Sequence, residues 1–132
     1  MATSKLNPAK VVIDDCKIIE VSVAANMKPQ ENEAGSYELQ VNYGAKPVKK
    51  ENGSVFLDLS VEVASNGAPT YDIRLVTRTK FVFPEGTEDR WIEAYLREEG
   101  TVRAFDFART YIKSITSFGV WDSLEIPNIA LS

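Results

Sequence analysis

The run Val55-Phe56-Leu57-Asp58-Leu59-Ser60-Val61-Glu62-Val63 decides the fold. Successive side chains of an extended chain point to opposite faces, so Val55, Leu57, Leu59, Val61 and Val63 share one side and Asp58, Ser60 and Glu62 the other. That is a strand with one face in a core and one in water. The same alternation flanks it. On the N-terminal side Tyr37, Leu39, Val41 and Tyr43 oppose Glu38, Gln40 and Asn42; on the C-terminal side Tyr71, Ile73, Leu75, Phe81 and Phe83 oppose Asp72, Arg74, Arg78 and Lys80. An earlier run, Val11 to Ala25, supplies a further strand with Val11, Ile13, Ile19, Val21 and Val23 as its apolar set. Lys50-Glu51-Asn52-Gly53 and Asn66-Gly67-Ala68-Pro69 carry turn chemistry, because Asn and Gly accept positive φ and Pro halts a strand. Such short loops predict antiparallel neighbours for the second, third and fourth strands. The polar stretch Met27 to Gly35 is longer and suits a crossover at one end of the sheet as well as a hairpin.

After Pro84 and Gly86 the apolar spacing turns helical. Thr87 is the expected N-cap, Glu88 and Asp89 suit the positive end of a helix dipole, Trp91, Ile92, Tyr95 and Leu96 form one face, and Gly100 is the expected stop. A longer helix is expected from about Arg103 to Phe118, with Phe105, Ala108, Ile112 and Ile115 on one stripe and Gly119 behind it. The resulting expectation is an α+β fold in a single domain spanning 1–132, with residues 1–8 a flexible N-terminus. A four-stranded antiparallel sheet is covered on one face by a short helix and a longer C-terminal helix.

Composition narrows the function. At 132 residues, 44% hydrophobic and 26% charged, the chain has the make-up of one globular domain. A net charge of −4 without a basic cluster disfavours nucleic acid. No apolar run approaches the ~20 residues of a membrane span, and the first residues lack the apolar centre of a signal peptide, so a cytoplasmic protein without membrane insertion is expected. There is no histidine, which removes Ser-His-Asp triads and imidazole metal sites, and the single Cys16 has no partner for an internal disulfide. The expectation is a non-enzyme with no catalytic residues, no metal and no cofactor.

What the chain has in surplus is aromatic area. Phe81, Phe83, Trp91, Tyr95, Phe107, Tyr111, Phe118 and Trp121 exceed what a small two-layer domain needs. They are expected to line a groove for an apolar segment of another polypeptide. The plainer alternative is that they fill the core or a self-association interface.

One stretch carries a family resemblance. Phe105-Asp106-Phe107-Ala108-Arg109 runs through Ile112 and Ser114 to Gly119, and Leu124-Glu125-Ile126-Pro127-Asn128-Ile129 follows. This resembles the last helix and closing segment of the SecB-type protein-export chaperones, Phe-Pro-Tyr-Ala-Arg and Leu-x-Leu-Pro-Pro-x-Asn-Phe. Asp106 stands at the family's Pro, Phe107 at its Tyr, and Asn128, Ala130 and Leu131 at its second Pro, its Asn and its Phe. The resemblance implies an ATP-independent holdase for unfolded or non-native polypeptides, serving export or a dedicated client such as an antitoxin. It also implies a homo-oligomer: two protomers join edge strands into a dimer, and two dimers sandwich their helices into a tetramer. The family docks on a translocation motor through acidic residues on the outer face of its sheet. Glu20 matches one such position, but Ala24 stands at the neighbouring one, and Arg74, Arg78 and Lys80 lie where an acid would be wanted, which counts against motor docking. The other open reading is a non-enzymatic assembly protein that keeps the fold without binding clients.

Overall fold

The computed structural model describes residues 10–29, 40–51 and 54–127. The expected flexible N-terminus, the strand positions Tyr37, Glu38 and Leu39, the Asn52-Gly53 turn, and Asn128, Ile129, Ala130 and Leu131 lie outside the described residues.

Strands β1 (Val12–Ala25), β2 (Gln40–Glu51), β3 (Ser54–Ala64) and β4 (Tyr71–Val82) form one antiparallel sheet in the order β1-β4-β3-β2. The turn before β4 is built as its sequence indicates, with Asn66 and Gly67 both at positive φ. Because β1 and β2 occupy opposite edges, the connection between them is a crossover and not a hairpin. Pro47, which has no N–H to give a ladder, sits in the edge strand β2, where it is tolerated.

The core lies on one face of the two central strands. Val55, Leu57, Leu59, Val61 and Val63 of β3 are buried, and they stand opposite Phe81, Thr79, Thr77, Leu75 and Ile73 of β4. Fully burying a leucine such as Leu59 or Leu75 stabilises the fold by about 2 kcal/mol. The alternation of β1 is not strict. Two register shifts, between Ile13 and Asp15 and between Ile18 and Glu20, each insert an extra residue and reverse the parity. Ile13, Cys16, Ile18, Val21 and Val23 therefore face the same side as the core residues of β4, whereas Ile19, expected there from period two, is the extra residue at a bulge.

The helical region also departs from expectation. α1 (Asp89–Tyr95) continues through a π-helical turn, Leu96–Gly100, directly into α2 (Thr101–Thr116). Gly100 keeps helical angles, φ −61 and ψ −42, and ends nothing. It is closely packed: a Cβ there would meet Leu96 Cδ2 at 3.3 Å and the Tyr95 carbonyl oxygen at 3.4 Å, with Phe81 Cζ in ordinary contact at 3.6 Å. The wider π turn leaves the Leu96 carbonyl to accept the Thr101 hydroxyl at 2.7 Å. Thr87 does not cap the helix; its hydroxyl donates to the Pro84 carbonyl at 2.6 Å, and Glu88 occupies the N-cap with its carboxylate on Arg90 at 2.7 Å and not on the helix N-terminus. The sheet is thus covered by one helical rod. Its buried stripe in α2 is Thr101, Ala104, Phe105, Ala108, Ile112 and Thr116, with Ile115 only half-buried.

Candidate functional site

One rod is too narrow for this sheet. Four strands about 4.8 Å apart span at least ~14 Å, while a helix with its side chains is about 10–12 Å wide. α2 packs on β3 and β4, which leaves the inner faces of both outer strands incompletely covered.

On the β1 side this opens an apolar trough. Ile13, Ile18, Val21 and Val23 point toward the core side yet remain 38–41% exposed. The wall of the trough follows from helix geometry. At about 100° per residue, Phe107 and Tyr111 fall on one flank of α2 and Phe105 and Arg109 on the other. Phe105 lies against Tyr43 of β2, ring centroids 5.3 Å apart, so the Phe107 flank is turned toward β1. Phe107 is exposed and Tyr111 is half-buried against the core.

On the β2 side is a cavity of about 510 Å³ lined by Tyr43, Ala45, Pro47, Leu57, Leu96 and Thr101, with Glu93 and Arg97 of the helix beside it. Among the described residues both flanks of the rod are therefore open and mainly apolar.

The aromatic residues singled out in the sequence separate into three groups. Phe81, Phe83 and Tyr95 are enclosed by the protomer, a correction to their expected place in a groove. Phe81 belongs to the central strand β4, and both phenylalanines meet the Tyr95 ring edge-on, at 5.8 and 5.5 Å, beneath the helix. Burial raises the Tyr95 phenol above its ordinary pKa, with Glu99 adding to the effect and Arg103 opposing it. Trp91 and Trp121 are half-buried. The Arg90 guanidinium lies over the Trp91 ring at 4.9 Å, and the indole N–H of Trp91 is buried without a partner. Phe107 and Tyr111 remain on the trough, while Phe118 lies beyond the end of α2 and is 90% exposed. Sequence reasoning missed Tyr43 and the aliphatic floor of β1. The signal was present in the surplus of alternating apolar residues over what a single helix can cover.

The opposite face of the sheet is charged and internally paired. Arg74 bridges Glu20 at 3.2 Å and Glu62 at 2.6 Å. Arg78 grips Asp58 through two bonds of 2.7 and 2.9 Å, which hold its guanidinium above its ordinary pKa. Lys80 meets Asp14 at 3.2 Å. The basic stripe of β4 is thus neutralised from both sides, and Glu20 is engaged by Arg74. Cys16, on the trough floor, lies 3.2 Å from the Thr79 hydroxyl; burial pushes its thiol pKa up, Thr79 pulls it down and Asp15 raises it. Among the described residues no group of three or more Cys, Asp or Glu is placed to hold a metal, and no helix is long and apolar enough to cross a membrane.

No protein-family model matches the chain, and no curated protein matches it in sequence. Solved structures do. A SecB-like chaperone of Mycobacterium tuberculosis, in complex with a ChAD peptide from the HigA1 antitoxin, superposes with a TM-score of 0.73 over 92% of each chain at 13% identity. A protein of unknown function from Streptococcus agalactiae is a looser match, with a TM-score of 0.48 over 89% of this chain and 96% of the other at 10% identity. The four-stranded antiparallel sheet with its C-terminal helix is accordingly the SecB-like fold, carried here by a far-diverged sequence.

Proposed function

We propose that the protein is a holdase chaperone that binds non-native polypeptide without nucleotide. The observation that carries this reading is the partial cover of the sheet: the helix leaves Ile13, Ile18, Val21 and Val23 on one flank and the Tyr43 cavity on the other open to apolar side chains of another chain. Such surfaces bind extended segments by area alone, which suits clients of varied sequence. A dedicated client, such as an antitoxin, fits better than service to an export motor, because Glu20 is tied to Arg74 on an outer face whose charges cancel. Self-association through β1 belongs to the same reading. That strand runs for 14 residues along one edge of the sheet, with no further strand beside it among the described residues, whereas the β2 edge contains Pro47.

The test is aggregation of a chemically unfolded client, followed by light scattering, with the protein in increasing molar ratio and no ATP. Suppression near stoichiometric ratios is expected. No suppression at several-fold excess would reject the holdase reading, and a stable oligomer in that same experiment would favour an assembly protein instead.

A further inference from the structure

Trp121 is bound up with its own chain. Its indole N–H donates to the Asn26 carbonyl at 3.0 Å. Its backbone is held by Tyr71, whose hydroxyl accepts the Trp121 N–H at 2.9 Å and donates to the Trp121 carbonyl at 3.0 Å. Tyr71 is 3% exposed, so this hydroxyl has no water to fall back on. Farther along, the Leu124 N–H donates to the buried Thr116 hydroxyl at 2.8 Å, which ties the segment down beyond Trp121 as well.

Asn26 is the first residue after β1, where the crossover begins. Its N–H donates to the Thr70 carbonyl at 2.8 Å and its side-chain amide to the Ala68 carbonyl at 2.9 Å. Its Oδ1 accepts the Lys28 N–H at 3.2 Å. With its carbonyl taken by Trp121, every polar group of Asn26 is in use, and the direction in which the chain leaves the sheet is fixed. That point adjoins the Val23 and Ala25 end of the trough.

We propose that Trp121, Tyr71 and Asn26 form a clasp that sets where the crossover leaves β1, so that Trp121 is a positioning residue for the trough and not a contact of its occupant. The functional half rests on the trough's being the binding surface; the clasp itself does not. Two conservative variants separate the ideas. Trp121→Phe keeps a ring and loses the bond to Asn26, and Tyr71→Phe keeps the buried ring and releases the Trp121 backbone. Amide hydrogen exchange and the affinity for a reduced, carboxymethylated lactalbumin are measured on both. Exchange at residues 26–28 is expected to rise about tenfold or more in each variant, with β3 and β4 amides unchanged, and affinity to fall several-fold in each. Weakening by Tyr71→Phe is the decisive reading, since so enclosed a side chain does not touch a client. Unchanged exchange at 26–28 overturns the clasp. Faster exchange with unchanged affinity overturns the positioning role, as does weakening confined to Trp121→Phe. If the wild-type protein binds no client, the proposed function and the positioning role fall together, and the exchange data still decide the clasp.

Discussion

Gly119 lies so close beneath Tyr71 that a Cβ on residue 119 would stand 2.6 Å from Tyr71 Cζ and 2.8 Å from Cε1. Glycine there is a steric requirement, because the ring has no room to retreat into a filled core. Gly119→Ala is expected to destabilise the protein by about 1–3 kcal/mol, the usual cost of overpacking. Gly100→Ala provides the contrast. Its helical angles favour alanine by up to ~1 kcal/mol, offset by the 3.3 Å approach to the buried Leu96 methyl, so a net change within about 1 kcal/mol is expected. Urea unfolding of the two variants measures the difference, and equal effects would contradict this assignment of space.

The trough floor separates binding from stability. Val21 and Val23 are each 41% exposed, so replacing both with Ser removes apolar surface that the protomer itself buries only in part. A loss of stability below about 1 kcal/mol per site is expected, together with a marked loss of aggregation suppression. Leu75→Ala, at 0% exposure, serves as the control and should cost about 2–5 kcal/mol. A double Ser variant that still protects clients at wild-type ratios would remove β1 from the binding surface.

These contrasts explain which parts of the molecule were legible in its sequence. β3 and the central part of β4 were, because strands buried on one face in strict register leave a clean period of two. β1 was not, since two bulges change which residues face inward and no local signal distinguishes Ile18 from Ile19. Gly100 read as a stop because glycine so often follows a helix, whereas here it keeps helical angles where a π turn runs directly into α2, a continuation that no local signal announces. The same applies to the aromatics. Phe81 is a core residue because the crossover puts β4 at the centre of the sheet, and the length of Met27 to Gly35 did not determine that order. The closing segment was legible in part: Leu124 and Ile126 of the family-like motif are both buried.

The charged face should prove separable from client binding. Glu20 and Arg74 are both about half exposed, and exposed pairs of this kind contribute no more than ~1 kcal/mol. Glu20→Gln is therefore expected to leave stability nearly unchanged. It should also leave client affinity unchanged, because Glu20 lies on the face of the sheet opposite the trough. Arg74 retains Glu62 in that variant. A several-fold loss of client affinity in Glu20→Gln would mean that polypeptide also binds the outer face.

Cys16 offers a built-in probe of the trough. It is the one cysteine in the chain, and it sits on the floor between Ile13 and Ile18 beside Thr79. Only the thiolate reacts with alkylating reagents, and burial raises this thiol's pKa, so at a given pH the folded protein holds less thiolate than the unfolded chain. Alkylation should therefore be slower in the folded state, with its rate rising along a pH profile displaced upward from that of the denatured protein. The sign for stability follows from the same shift. The folded state keeps its proton to higher pH, so raising pH through the free-thiol range favours the unfolded form. A client seated on Ile13, Ile18 and Val21 would cover Cys16 and slow its alkylation further at fixed pH, whereas a ligand confined to the Tyr43 cavity would leave the rate alone. Alkylation followed by mass spectrometry, with and without saturating client, distinguishes the two flanks. An unchanged rate with client bound would move the binding surface to the β2 side.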